Sequence, residues 1–241
     1  MSVFLRSCLF ALVQIVITPV FALIGLAIFF LPALTRYRVI TLWTRLMVSA
    51  AEKICGIRYR VLGAEHIPRT PFIVLAKHQS AWETLAFQVI FPPQAWVMKR
   101  ELLWIPFLGW GLAMLSPIAI DRDAGPRALR QLLKQGRDRL ARGFCIVIFP
   151  EGTRIAPGAR GEYQIGGAWL AVNTATPVLP VAHNAGEVWR RRAFLKHPGL
   201  VTVSIGTPIE PQRMTPQELN RKVADWIEAE VQRISKSTAQ S

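Results

Sequence analysis

Two short polar segments carry side chains suited to acid–base chemistry and to anion binding. The first is His78-Gln79-Ser80-Ala81-Trp82-Glu83, which stands where a β-rich run gives way to a helical pattern. Side chains five positions apart on a regular helix point about 140° from each other, so His78 and Glu83 would pair poorly if both were helical. With His78 in the preceding loop and Ser80 as the N-cap, we expect the carboxylate of Glu83 to turn back toward the imidazole.

Such a pair would make His78 a general base. The carboxylate would fix the tautomer of the ring and favour its protonated form as the ring accepts a proton from a substrate hydroxyl. No serine or cysteine nucleophile is needed, and none stands in a recognisable elbow motif. Taken alone, a His and a Glu at this spacing are also what a purely structural pair would look like.

The second segment, Phe149-Pro150-Glu151-Gly152-Thr153-Arg154, follows a strongly apolar run. Open α/β sheets bind ligands just past the carboxyl ends of their strands, which is where we expect these residues to lie. Gly152 would allow a ligand to approach the backbone closely, and Arg154 offers a planar fork suited to phosphate. The alternative is a tight turn with a surface arginine.

Together the two segments resemble the glycerolipid acyltransferase family, which includes the 1-acylglycerol-3-phosphate acyltransferases. The resemblance extends from about Gly63 to Gly206. The family's first motif, His followed by four residues and Asp, is similar to the segment from His78 to Glu83, and its third motif is matched by Phe149 to Arg154. The second motif resembles Lys99-Arg100-Glu101-Leu102, continued by Pro106, Gly109 and Ile120-Asp121-Arg122. The fourth motif resembles Val178-Leu179-Pro180-Val181.

The resemblance implies an enzyme that moves a fatty acyl chain from acyl-CoA or acyl carrier protein to the 2-hydroxyl of 1-acylglycerol-3-phosphate (lysophosphatidic acid). The product would be phosphatidic acid, in phospholipid biosynthesis. It implies His78 as the base and Glu83 as its partner, with no metal and no bound cofactor. Among the substrate-binding residues that it implies, the arginines and the lysine would bind the phosphate, and the remaining ones would shape the acceptor pocket. The substrate-binding residues implied are Lys99, Arg122, Glu151, Gly152, Thr153 and Arg154.

One residue departs from the family's pattern, because Glu83 replaces Asp. Its extra methylene requires the imidazole to sit farther from the helix or the side chain to fold back. Since Glu keeps the charge, we expect the mechanism to be preserved. A carboxylate that could not reach His78 would leave the base poorly oriented.

The elements that must position these residues alternate between β-rich and helical runs beyond Gly56. This pattern predicts an α/β domain with a central mixed sheet flanked by helices. A surface helix is expected over Arg127–Arg142, and the capping box Thr215-Pro216-Gln217-Glu218 predicts a last helix. The predicted strands are Phe72–Ala76, Ala95–Met98, Pro117–Ile120, Phe144–Phe149, Val178–Val181 and Leu200–Ile205.

An apolar segment precedes this domain, since no charged residue occurs from Ser7 to Thr35. That is longer than the roughly 20 residues that span a bilayer, and longer than the apolar region of a signal peptide, so we expect it to be retained. Pro19 should kink the helix and Pro32 should end it, which leaves a bent hairpin that could cross the membrane or rest in one leaflet. A second helical pattern, Val39 to Cys55, fits an interfacial helix or a helix packed on the domain.

The composition favours a membrane partner. Charged residues make up only 18% of the 241-residue chain, against a usual share of about a quarter, and the formal charge is +14. Nucleic acid, an anionic leaflet or an anionic substrate could each explain the charge, but no nucleic-acid-binding motif is present. Arginines near the apolar segment would contact an anionic leaflet or form a solvated basic face. They are Arg36, Arg38, Arg45, Arg58 and Arg60.

The sequence therefore predicts membrane-anchoring helices in residues 1–56 and an acyltransferase catalytic domain in residues 57–241. We expect the protein at the cytoplasmic face of the cell inner membrane, with membrane lipids and lysophosphatidic acid as partners and no nucleic acid. Two alternatives remain: acylation of another lyso-lipid, such as a lyso-ornithine lipid, and a catalytically silent lipid-binding scaffold.

Overall fold

The structure, a computed structural model, describes residues 1–121 and 124–239, with side chains up to residue 235. Two long helices come first and are followed by a domain in which strands and helices alternate. The helices are α1 (Val3–Ala27), α2 (Ala33–Cys55), α3 (Trp82–Ile90), α4 (Leu108–Met114), α5 (Pro126–Ala141), α6 (Gly166–Thr174), α7 (Ala185–Val188) and α8 (Pro216–Ala239). The strands are β1 (Ile57–Leu62), β2 (Ile73–Ala76), β3 (Gln94–Lys99), β4 (Ile118–Ile120), β5 (Cys145–Ile148), β6 (Val178–His183) and β7 (Gly199–Ile205).

The strands form one mixed sheet, which confirms the predicted fold class. Their order is β1-β7-β6-β2-β5-β3-β4. The β6–β7 pair is antiparallel, and the other neighbouring strands run parallel. Because β2, β5, β3 and β4 are parallel neighbours, their carboxyl ends, and the loops that follow them, lie at the same edge of the sheet.

The two faces of the sheet bury separate hydrophobic clusters. Side chains alternate across a strand, so Val74 and Ala76 of β2 face one cluster while Ile73 and Leu75 face the other. The first cluster is completed by the helices α1 to α3, and the second by α5, α6 and α8. Representative residues are Phe10, Met47 and Phe87 in the first cluster and Leu132, Leu170 and Val223 in the second.

The N-terminal helices pack against each other and against the domain. Trp43 of α2 donates its indole N–H to Thr18 of α1, 3.2 Å away. Gly25 brings α1 close to α2 and α4, since a Cβ at this position would lie 3.0 Å from Ile40 and 3.2 Å from Met114.

Much of α1 nevertheless faces outward. It is long and apolar enough to cross a membrane, and only 17% of its apolar window is buried. Ile15, for example, is 70% exposed. Exposed apolar surface of this kind is suited to lipid, which indicates membrane association.

The observed elements differ from the predicted ones in three ways. The prediction that Pro32 ends the first helix was wrong: α1 continues through Pro19 and ends at Ala27, and Pro32 instead caps the start of α2 with φ −53°. A proline suits that position because a helix start has no use for its missing N–H. α2 therefore begins at Ala33 rather than Val39. Strand β1 was not predicted, and its Arg60 donates to the Thr202 hydroxyl of β7 across 3.0 Å.

Candidate active site

The two motif segments meet because β2 and β5 are adjacent parallel strands. Leu75 of β2 is in register with Ile148 of β5, so the loops that begin after these strands leave the sheet side by side. A backbone hydrogen bond of 2.7 Å joins them directly, from the Ile155 N–H to the His78 carbonyl. Segments about 70 residues apart in the sequence thus form one site.

His78 and Glu83 are paired in the manner expected from their spacing. His78 lies in the loop, Glu83 lies in the first turn of α3, and Nδ1 of the imidazole is 2.9 Å from Oε1 of the carboxylate. The N-cap is Ala81, one residue beyond the predicted Ser80. Ser80 still supports the helix start, because its hydroxyl accepts the Trp82 N–H at 3.1 Å.

Glu83 is held as a buried anion. Its Oε1 also accepts the N–H groups of Gln79 at 2.9 Å and Ser80 at 2.7 Å. Burial by itself would raise the pKa of this carboxyl, but the His183 and His78 rings and the Ser80 N–H outweigh it and hold the pKa below the usual range. An ionised carboxylate can only accept, so the proton between the pair belongs to His78 Nδ1.

The other ring nitrogen of His78 is therefore the basic one. Within the described parts of the chain Nε2 has no hydrogen-bond partner, and the side chain is 14% exposed. Phe149 stacks on the ring with centroids 4.0 Å apart and planes 9° from parallel, which limits rotation of the imidazole. The arrangement provides an oriented, accessible base.

The carboxylate of Glu151, a residue that the resemblance implies shapes the acceptor pocket, is bonded by groups of the protein itself. Its side chain is fully buried: Oε1 accepts from Lys77 Nζ at 2.7 Å, and Oε2 accepts from the His78 backbone N–H at 3.0 Å. A buried carboxylate requires such partners, and Lys77 supplies the positive charge. Glu151 therefore supports the loop that carries the base.

A cavity of about 540 Å³ opens at the same edge of the sheet. Gly152 forms part of its wall. The backbone there has φ +66°, a conformation that favours glycine. Phe149 is also in the wall and connects the cavity to His78. Predicted residues that line it are Lys99, Glu151, Gly152 and Thr153, and apolar residues include Val97, Ile120, Leu129, Leu132 and Ile148.

Of the two predicted arginines, Arg154 is the one that the structure describes. Arg154 is half-buried and lies in the same loop as Gly152 and Thr153, but it does not line the cavity. Its backbone carbonyl accepts a hydrogen bond of 2.5 Å from the side chain of Arg191. Arg122 lies outside the described residues. Among the predicted cationic residues that the structure describes, Lys99 lines the cavity.

Sequence reasoning missed two buried residues next to the base. Lys77 was overlooked because a lysine beside a motif is normally a surface residue. His183 donates its Nε2 proton to the Lys77 carbonyl at 2.8 Å, and burial holds the pKa of its ring below the usual range. Its signal in the sequence was its position two residues after the segment resembling the fourth motif. Within the described ranges, no group of three His, Cys, Asp or Glu side chains is placed to hold a metal ion.

Comparisons with known proteins find both a matching family model and similar named proteins. A family model described as Acyltransferase matches residues 58–184. The chain is 46% identical over 209 residues to the 1-acyl-sn-glycerol-3-phosphate acyltransferase of Pseudomonas aeruginosa, covering 85% of this chain and 81% of that one. A mouse protein, 1-acyl-sn-glycerol-3-phosphate acyltransferase alpha, is 29% identical over 180 residues, which are 73% of this chain and 63% of the mouse one.

A solved structure is also similar. The crystal structure of the 1-acyl-sn-glycerophosphate acyltransferase from Thermotoga maritima superposes with a TM-score of 0.77 at 25% identity, covering 97% of this chain and 95% of that one. The family match includes both motif segments and the strands that place them. The chain belongs to the acyltransferase family.

Proposed function

We propose that this acyltransferase transfers a fatty acyl chain from acyl-CoA or acyl carrier protein to the 2-hydroxyl of 1-acylglycerol-3-phosphate, forming phosphatidic acid. The observation that carries the proposal is the His78–Glu83 pair at the carboxyl edge of the sheet, where Phe149 both stacks on the His78 ring and lines the cavity. The relatives named for this reaction support the choice of acceptor. An intact pair of this kind argues against a silent scaffold.

In the proposed reaction His78 acts first as base and then as acid. Nε2 takes the proton of the acceptor hydroxyl as its oxygen attacks the thioester carbonyl carbon. The tetrahedral intermediate collapses, the C–S bond breaks, and the leaving sulfur receives the proton from His78. Glu83 stabilises the imidazolium between these two transfers. The thioester is a co-substrate, and the proposal requires no bound cofactor or metal.

The cavity offers a place for each part of the acceptor. Lys99 supplies a positive charge for the phosphate, and the backbone at Gly152 can be approached closely. The apolar wall, which includes Leu129 and Ile148, suits an acyl chain. Arg154 belongs to the same loop, and we propose that it contacts the phosphate at the mouth of the cavity.

We also propose that the protein lies in the cytoplasmic leaflet of the inner membrane rather than crossing it. A crossing helix holds its ends about 30 Å apart on opposite sides of the hydrocarbon core. Both ends of α1 instead touch the domain: the Lys196 N–H donates to Ser7 at 3.0 Å, Phe10 packs on Trp189, and Gly25 lies against Met114. The nearby segment 102–110 adds exposed apolar side chains, including Trp104 at 72%.

The proposal is tested with purified protein, a series of acyl donors and lysophosphatidate, by measuring thiol release and phosphatidic acid formation. His78→Ala should fold and bind membranes but lose more than about 99% of the rate, because it removes the base. Retention of more than a few per cent of activity by this variant would contradict the role of His78. Faster acylation of lyso-ornithine lipid than of lysophosphatidate by the parent enzyme would contradict the proposed acceptor.

A further inference from the structure

Lys77 is a buried cation whose three donor positions are all used. Its ammonium group donates to Glu151 Oε1 at 2.7 Å, to Glu228 Oε1 at 2.7 Å and to the Ala159 carbonyl at 3.1 Å. The side chain of Lys77 is fully buried, and that of Glu228 is 12% exposed. A lysine has three N–H donors and no acceptor, so this arrangement satisfies it completely. Lys77 therefore joins three distant parts of the chain.

The backbone on either side of the base is held by the same cluster. Glu151, paired with Lys77, accepts the His78 N–H at 3.0 Å and the Gly161 N–H at 3.2 Å. His183 donates to the Lys77 carbonyl, and the His78 carbonyl accepts from Ile155. With the peptide groups fixed on both sides, the imidazole position depends on where Lys77 and Glu151 sit.

The far end of the cluster lies on α8. Glu228 Oε1 accepts the Tyr163 hydroxyl proton at 2.8 Å as well as the lysine proton. Burial and the neighbouring carboxylates Glu151 and Glu228 raise the pKa of Tyr163, so its hydroxyl stays a donor. Asn220 of α8 donates to the Tyr163 carbonyl at 2.8 Å, which gives the same loop a second attachment to this helix.

We infer that Lys77, Glu228 and Tyr163 are positioning residues, through which the C-terminal helix α8 fixes the backbone that aims His78 at the acceptor hydroxyl. None of the three needs to touch substrate. The inference rests on the proposed role of His78 as base. Because misplacing a reacting group by about 1 Å can cost roughly 100-fold in rate, loss of the cluster should lower kcat and leave substrate binding largely intact.

The experiment compares kcat and KM for lysophosphatidate in four variants of the full-length protein, normalised to folded enzyme. Glu228→Ala removes the acceptor and should lower kcat by roughly 30- to 100-fold, with KM changed less than about threefold. Glu228→Gln keeps an acceptor oxygen for both donors and should restore most of the rate. Tyr163→Phe removes one hydrogen bond and should lower kcat by roughly 3- to 10-fold, and it tests the inference if Glu228→Ala fails to fold.

Asp225→Asn is the matched control. Asp225 also lies on α8 and also pairs with the loop, through Arg160 at 3.2 Å, but both side chains are about 60% exposed. Exposed pairs contribute little, so this variant should keep its kcat within about twofold. The inference is overturned if folded Glu228→Ala and Tyr163→Phe keep the parent kcat, or if their losses lie in KM. An active His78→Ala would instead contradict the proposed function, which separates the two failures.

Discussion

Replacing Glu83 by Gln separates the effect of charge in the proposed catalytic pair from the effect of its geometry. Among the described residues, Oε1 accepts three hydrogen bonds, from His78, Gln79 and Ser80, while Oε2 is buried without a partner. A carboxamide can place its oxygen at the Oε1 position and its nitrogen at the Oε2 position. The tautomer of His78 and the start of α3 are then preserved and the negative charge is lost, while the amide nitrogen adds two buried N–H donors whose cost appears as lower stability.

The size of the effect follows from the separation of the pair. With Nδ1 and Oε1 2.9 Å apart, the charge centres lie about 4 Å from each other. Two unit charges at that separation attract by about 4 kcal/mol at an effective dielectric constant of 20. The amide oxygen still accepts the Nδ1 proton, and a neutral hydrogen bond restores about 1 kcal/mol. In the proposed mechanism His78 gains a proton as the transition state forms, so the remaining 3 kcal/mol or so predicts a roughly 100-fold lower kcat.

The assay is steady-state acyl transfer to lysophosphatidate, with thermal denaturation to verify folding. Glu83→Asp provides the control, because it keeps the charge and shortens the side chain by one methylene. It should therefore retain more activity than the Gln variant. A Gln variant within about threefold of the parent kcat would refute the charge argument. An Asp variant slower than the Gln variant would show that reach matters more than charge.

Two further substitutions test the anion site and the buried histidine. Arg154→Ala should lower kcat/KM for lysophosphatidate by roughly 10- to 100-fold, since a charge-assisted bond contributes about 1.5 to 3 kcal/mol. Arg154→Lys should recover part of that loss. Equal losses with an uncharged monoacylglycerol, measured by the same kinetics, would rule out a phosphate role. The pKa of His183 is lower in the folded state than in the unfolded state, where it is about 6.5. The contribution of neutral His183 to folding stability is therefore complete above pH 6.5 and is lost as the pH falls below that value, by up to about 1.4 kcal/mol per pH unit. Denaturant titrations of the parent and His183→Gln at pH 7.5 and 5.5 should therefore show a smaller acid loss in the variant, and identical losses would contradict the assignment.

The pairing of His78 with Glu83 could be predicted because it depends on local geometry. The two residues are five positions apart, and a loop followed by a helix start is enough to bring their side chains together. The capping box could be predicted for the same reason, since Thr215 and Glu218 exchange hydrogen bonds of 2.8 and 3.2 Å at the start of α8. Interactions within one turn can be read from spacing alone.

The cluster around Lys77 could not be predicted, because its members are brought together only by the folded sheet. Lys77 and Glu228 are 151 positions apart, and neither belongs to a recognisable pattern. Strand β1 was missed for a different reason. Its alternating Arg58 and Arg60 were interpreted only as basic residues, either in contact with a leaflet or on a solvated face, whereas alternation also marks a strand with one exposed face.

The pairing of β1 has a consequence for how the chain is made. β1 is an edge strand, and its neighbour is β7, so Arg60 meets Thr202 only when 142 further residues have been added. During synthesis at about 5 to 20 residues per second, that interval lasts roughly 7 to 28 seconds. The apolar helix α1 precedes β1 and leaves the ribosome first. The order of synthesis thus allows α1 to meet lipid before the last strand can complete the sheet.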